Sequence, residues 1–358
     1  METTEYSLAQ AYKRIENILI DSMIRNFRKH KVDELEEGLN WAQWQVVQLQ
    51  ELEKYRLRNA EKFDEDFSDI HRRIDALFRM ANMDGQTEEE AKILDAIRKG
   101  NLFRPVTPGI EIGTLGVNEA KLNALIDSTI DDLIEAEQAV LRRSNDIYRQ
   151  VIFDAQVYAE SGGTYEQAVD MATRDFARRG IDSIVYSNGA RHTIPDYARM
   201  ALRTGNKRAY LLGEGRKHAE YGIHTVRVNR REGACPLCVV WLGRVLIDDV
   251  YGGGTKQEAV EKNLPLLSTA MEMGFLHPNC KDIYSLYVEG VSRPAEPWTE
   301  DEIRKLTATY NKEQKLRHAK DMNEAWDRVA RTRLDKENRI IAEARAEAWK
   351  EKVEEFEI

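Results

Sequence analysis

Four of the residues best suited to holding a metal fall into two short clips. Cys235 and Cys238 form a C-x-x-C pair, and His277 and Cys280 form an H-x-x-C pair; the chain contains no other cysteine. Two intervening residues let a turn aim both side chains at one ion. Three thiolates with one imidazole match the four-coordinate, tetrahedral preference of zinc. Pro278 stiffens the second clip. A Cys₃His set leaves no open coordination position, so the chemistry it offers is a structural zinc staple. The 38 residues between the pairs are no obstacle if both turns sit at one end of a small sheet. Two other readings stay open: three small buried thiols beside a surface histidine, and a redox C-x-x-C. No thioredoxin-like βαβ pattern precedes the pair to favour the latter.

A second arrangement of the same cysteines must be weighed. His218-Ala219-Glu220 precedes Cys235-Pro236-Leu237-Cys238. That order is similar to the zinc deaminase signature, in which one His and two Cys hold the metal and a Glu moves protons. Ala234 stands where that signature has proline, and 14 residues separate Glu220 from Cys235. The gap is too short for a strand and two helix starts meeting at the metal. A zinc-dependent enzyme acting on nucleic acid is therefore the alternative function. A zinc-containing DNA-binding protein is a third, although no groove-reading element is present. No G-x-x-x-x-G-K-[ST], G-x-S-x-G or H-E-x-x-H occurs. Gly252-Gly253-Gly254-Thr255-Lys256 lacks the spacing of a phosphate loop and reads as a hinge or surface loop.

The elements around the clips read as α+β, predominantly helical. Apolar residues at Leu8, Tyr12, Ile15, Leu19, Met23 and Phe27 predict an amphipathic helix over 5–29. Trp41, Trp44, Leu52, Tyr55, Phe63, Phe67, Ile70, Ile74 and Leu77 continue that spacing, and aromatic residues so spaced belong to a core more often than to a binding face. Thr87 with Glu90 predicts a capping box for a short helix ending near Gly100. Pro105, Pro108, Gly109, Gly113 and Gly116 mark a connector. Asn118 is then expected to cap a long helix up to Gly162-Gly163, and Thr164 with Gln167 to cap the next, ending at Gly180.

Asn188-Gly189 predicts a hairpin between 183–186 and 190–194. Helices over 195–203 and 206–221 follow, then strands over 223–228, 241–247 and 283–288 with a short helix at 266–273. The expected organisation is an N-terminal helical domain over 1–100, a linker over 101–117, a long helix and helical spine over 118–180, a compact α+β domain with the Cys/His cluster over 181–290, and, after Pro294 and Pro297, a charged helical tail over 298–358 capped by Thr299 and Glu302.

The net charge of −9 argues against nucleic-acid binding by the molecule as a whole. Charge is uneven, however: residues 191–231 hold ten Lys or Arg against three Asp or Glu. Those cations read either as a solvated helix face with ordinary salt bridges or as a nucleic-acid contact through Arg199, Arg203, Lys207, Arg208, Arg216 and Lys217. Three cysteines are a poor disulfide framework and fit a reducing compartment. The N-terminus carries no signal pattern, and no apolar run is long enough for a membrane span, so a soluble chain made in the cytoplasm is expected.

The stretch from Ile194 onward also carries a resemblance. Tyr197-Ala198-Arg199-Met200, Arg203-Thr204, Lys207-Arg208-Ala209-Tyr210, Ala234-Cys235-Pro236-Leu237-Cys238, Gly243-Arg244-Val245 and His277-Pro278-Asn279-Cys280-Lys281-Asp282 resemble the phage minor capsid protein 2 family, related to Mu F-like head-morphogenesis proteins. The match is dense over 195–290; the N-terminal helices carry no motif of their own, and the tail beyond Pro297 is not covered. The resemblance implies a structural protein of a phage or prophage virion, not an enzyme. It implies association with the portal and the head interior, and a role in head assembly, genome packaging or DNA delivery. The partners implied are the portal protein, other capsid proteins and packaged DNA, with no small-molecule substrate. The zinc rests on ligand spacing alone.

Overall fold

In the computed structural model the described residues are 3–37, 41–99, 111–160, 164–186, 189–289, 292 and 298–357. Pro105, Pro108, Gly109, Asn188, Pro294 and Pro297, on which the expected linkers and hairpin turn rest, lie outside them, as do Gly38, Gly100 and Gly162-Gly163. In chain order the helices are α1 (Glu5–Glu37), α2 (Trp41–Arg98), α3 (Glu111–Glu160), α4 (Tyr165–Ala172) and α5 (Arg174–Arg179). Strands β1 (Ile184–Val185) and β2 (Arg191–His192) precede α6 (Ile194–Glu220). Then come β3 (Thr225–Val228), β4 (Val245–Ile247), α7 (Lys256–Lys262), α8 (Leu267–Glu272), β5 (Tyr284–Leu286), α9 (Glu300–Thr332) and α10 (Lys336–Glu357). The protein is predominantly helical α+β. Among the described residues no helix is long and apolar enough to cross a membrane.

Contacts divide the chain into two compact units. One comprises residues 6–71, 132–198 and 314–358. Its core is the helix-spaced apolar stripe: Leu8, Tyr12, Leu19, Met23 and Phe27 of α1 are fully buried, as are Phe63 of α2 and Leu133, Val140 and Tyr148 of α3. Tyr148 stands 4.9 Å from Phe27 and 5.2 Å from Tyr55 between ring centroids. A buried carboxylate, Glu137, accepts from the Tyr12 hydroxyl at 2.6 Å and lies 2.9 Å from His71 Nε2. The Thr164–Gln167 capping box opens α4 as expected, and Gly180 ends α5 at φ 83°. The β1–β2 hairpin pairs Ile184 with His192. The tail breaks into two helices because Asp335 caps α10, accepting from the amides of Glu337 and Asn338 at 3.0 Å. Asp170 holds that break by accepting from the amides of Leu334 and Asp335.

The other unit comprises residues 1–5, 72–131 and 199–313. Here two expected breaks are absent. Helix α2 runs through Thr87, whose hydroxyl turns back to donate to the Met83 carbonyl at 3.0 Å instead of capping a new helix. Helix α6 runs through Gly205 without interruption. The glycines serve close packing: a Cβ on Gly85 would stand 2.2 Å from the Tyr210 carbonyl oxygen, and one on Gly205 would strike the Phe78 ring at 2.3 Å. Helix α3 starts at Glu111, ahead of Asn118, because glycine at 113 and 116 weakens a helix by about 1 kcal/mol per residue without forbidding it. Helix α7 was not expected; Thr255 and Glu258 form its capping box directly after the glycine run. The three-stranded antiparallel sheet has the order β4-β3-β5.

Candidate metal centre

The sheet register brings the clips together. Val228, at the end of β3, pairs with Tyr284 at the start of β5, and Arg227 pairs with Val245 at the start of β4. The segment from 229 to 244 and the turn ahead of β5 therefore leave the same end of the sheet. Along the first, the amides of Cys238 and Val239 donate to the Cys235 carbonyl, curling the C-x-x-C backbone around its side chains. Gly243, at φ 80°, returns the chain to the Val228 carbonyl. In the second, the Cys280 amide donates to the His277 carbonyl at 3.0 Å, and Asn279 takes a left-handed φ of 64°, a conformation that asparagine tolerates better than most side chains.

The four expected residues fall into two overlapping clusters here. Cys235 Sγ is 3.1 Å from His277 Nε2, and Cys238 Sγ is 3.5 Å from Cys280 Sγ. Two triads share Cys238: one with Cys235 and His277, one with Cys280 and Asp282, the ligand atoms of each lying within 4.8 Å of one another. Tetrahedral zinc with bonds of about 2.0–2.3 Å sets its ligands roughly 3.5–3.8 Å apart, so the spacing is close to what an ion needs. The imidazole is turned correctly as well. His277 Nδ1 lies 2.8 Å from the Pro278 carbonyl, which can only accept, so Nδ1 carries the proton and Nε2 offers its lone pair to the site. The donor set and its orientation fit a metal ion.

The surrounding charges point the same way. Cys238 and Cys280 are buried, and Cys235 is half-buried. The Cys238 contact, the Lys207 ammonium and the Asp282 amide hold the Cys280 thiol down at about 7 against burial, while the Cys280 contact and burial push the Cys238 thiol up. Asp282 was missed as a site residue. Its amide donates to Cys280 Sγ at 3.3 Å, and its carboxylate pairs with Arg231 at 3.0 Å. The signals for it were its place two residues after Cys280 and its position at the end of the His277–Asp282 motif. Were all three cysteines to bind a divalent ion as thiolates, that ion together with Lys207 and Arg231 would balance them and Asp282.

Helix α6 organises the second clip. Arg203 donates to Asn279 Oδ1 at 2.9 Å, and Thr204 Oγ1 accepts from the Asn279 amide at 2.9 Å. Lys207 donates to the Cys280 carbonyl at 2.8 Å and also to the Asp282 carbonyl. Burial pulls the Lys207 ammonium below its ordinary value, and the thiols and Asp282 partly offset that. Of the other basic candidates, Arg216 pairs with Glu220, and Lys217 with Glu90 and Glu220. Arg208 is exposed, and Arg199 is half-buried.

His218 and Glu220 are not brought to the cysteine cluster. His218 is fully buried with Nε2 2.8 Å from the Glu89 carboxylate. Burial pushes Glu89 up, but His218 and Lys92 outweigh it and leave the carboxyl below its ordinary value. His218 belongs to a buried polar contact between α2 and α6.

The phage minor capsid protein 2 family matches residues 1–357. The match includes the N-terminal helices and the tail, which carried no recognisable motif. Comparison with curated proteins and with solved structures gives no match. The chain belongs to the phage minor capsid protein 2 family, which places it among the structural proteins of the phage head, with other phage proteins as its partners.

Proposed function

We propose that this phage minor capsid protein serves at the portal vertex and the head interior, in assembly and in genome packaging or delivery. Cys235, Cys238, His277 and Cys280 would hold a structural zinc ion that ties the two clips together. The observation that carries the metal reading is the convergence of two clips, 38 residues apart, on one end of the sheet, with His277 Nε2 turned inward. The role is non-enzymatic: four protein ligands leave no position for a substrate or activated water. Packaged DNA has less support as a partner, because Arg203, Lys207, Arg216 and Lys217 all make bonds within the fold.

Metal analysis with X-ray absorption on the full-length chain tests the site. One zinc per chain in a sulfur-rich shell is expected, and its loss in Cys280→Ser. A chain purified under reducing conditions without stoichiometric metal overturns it. Co-expression with the portal protein of the same phage, followed by sedimentation, tests the location. Co-sedimentation with the portal ring is expected; co-sedimentation with the major capsid protein alone would place the chain elsewhere in the head.

A further inference from the structure

We infer that Cys238 and Cys280 are a disulfide-forming pair, whose bond takes over the link between the two clips when the metal is lost. The inference rests on the zinc reading for the condition that opens the pair, and on independent geometry for the choice of partners. Cys235 faces an imidazole nitrogen at 3.1 Å, whereas Cys238 faces the Cys280 sulfur at 3.5 Å. A disulfide needs about 2.05 Å, so rotation of the two side chains has a short gap to close. Both backbones are already held. The Cys238 amide is bonded within its own turn. The Cys280 turn is gripped from α6 by Arg203, Thr204 and Lys207.

The chemistry balances with a low-molecular-weight disulfide as oxidant. One thiolate attacks glutathione disulfide and releases one glutathione thiol. The partner thiolate then displaces the second glutathione. The two cysteines lose two protons and two electrons, and one disulfide in solution becomes two thiols. A virion protein meets both conditions of this exchange: it is made in a reducing compartment and then persists outside the cell, where thiols oxidise. The metal would serve the first environment and the Cys238–Cys280 bond the second.

The test uses the full-length chain, divided into zinc-supplemented and chelator-treated samples. Each is exposed to glutathione disulfide and mapped by non-reducing peptide mass spectrometry. In the chelated chain, Cys238–Cys280 is expected as the main cross-link, with free thiols falling from three to one; the zinc-loaded chain keeps its thiols. Cys235→Ser still forms the bond, and Cys280→Ser does not. A denatured control matters, since loop closure alone favours the nearer Cys235–Cys238 pair. Cys235–Cys238 as the main product of the folded chain, or glutathione adducts without a cross-link, overturns the inference. Equal cross-linking with and without zinc would leave the pair standing and defeat the metal reading. Stoichiometric zinc with no Cys238–Cys280 bond after chelation would do the reverse.

Discussion

The helical unit and the Cys/His module solve the same problem with different means. In the helical unit, helices of tens of residues place Tyr12, Phe27, Phe63 and Tyr148 in a common core, each fully buried. Burial of large apolar side chains, roughly 1.5–3 kcal/mol each, is spread over many contacts there. The module has strands of only three and four residues. Val226, Val228, Leu246 and Tyr284 are buried along them, but strands so short hold few ladder bonds. Its order depends on point connections: two Cys/His/Asp clusters that share Cys238, a left-handed Asn279, and the polar grip of α6 on the turn. Distributed packing tolerates the loss of one contact better than a structure built on a few.

Removing the proposed ion should separate the two regions most sharply. Structural zinc contributes on the order of 10 kcal/mol to folding in small zinc peptides, more than a single core contact supplies. Chelation, or Cys280→Ser, is expected to abolish amide-exchange protection over 225–288 while α1 keeps its own. Uniform loss across both regions would break the contrast. Phe63→Ala is the converse experiment. It should cost about 3–5 kcal/mol, read as a lower urea midpoint, with zinc stoichiometry unchanged. Next comes Lys207→Met, which removes the ammonium that bonds the Cys280 carbonyl. A 10- to 100-fold weaker zinc affinity is expected by analogy with lost supporting bonds at other metal sites, measured by chelator competition.

A pH dependence sharpens the comparison differently, since each unit buries a carboxyl that burial drives toward the protonated form. Burial pushes Glu16 of α1 up from 4.5 to about 7, although Arg328 and the Ile181 amide draw it down. Burial, then Glu89, pushes Glu214 of α6 up to about 7. A folded value above the unfolded one means tighter proton binding in the folded chain. The stabilisation is therefore full below about 4.5 and is lost as pH rises through about 7. Glu16→Gln should narrow the gap in urea midpoint between pH 5 and pH 8, and an unchanged gap would remove Glu16 from the explanation. The smallest effects belong to the helix caps. Thr164→Ala in the helical unit and Thr255→Ala beside the module should each cost about 1 kcal/mol, read as small shifts in Tm.

Much of this was legible in residue order. The stripe from Leu8 to Phe27 predicted a buried helix face, and every member is buried. Thr164 with Gln167 and Thr299 with Glu302 cap helices as their spacing requires. The strands at 225–228, 245–247 and 284–286 fall inside the predicted ranges. Two of the misreadings share one cause. A helix start at Thr87 and a break between Arg203 and Asn206 are the local reading, but Gly85 and Gly205 each fill a place where another residue of the same unit comes too close for a Cβ. A local pattern cannot distinguish a glycine that ends a helix from one that lets a neighbour approach.

The candidate site divides along the same line. Residue type and spacing alone selected Cys235, Cys238, His277 and Cys280, because a two-residue gap is a local property of a turn that can hold two ligands. Only the tertiary structure decided that the turns share one end of a sheet, since β-pairing joins residues far apart in the chain. It also decided what the basic run on α6 touches. Arg203 and Lys207 are cations in any reading of the sequence; folding turns them toward Asn279 Oδ1 and the carbonyls of Cys280 and Asp282. Charge is fixed by composition, but the partner of a charge depends on which surfaces the fold brings within about 3 Å of it.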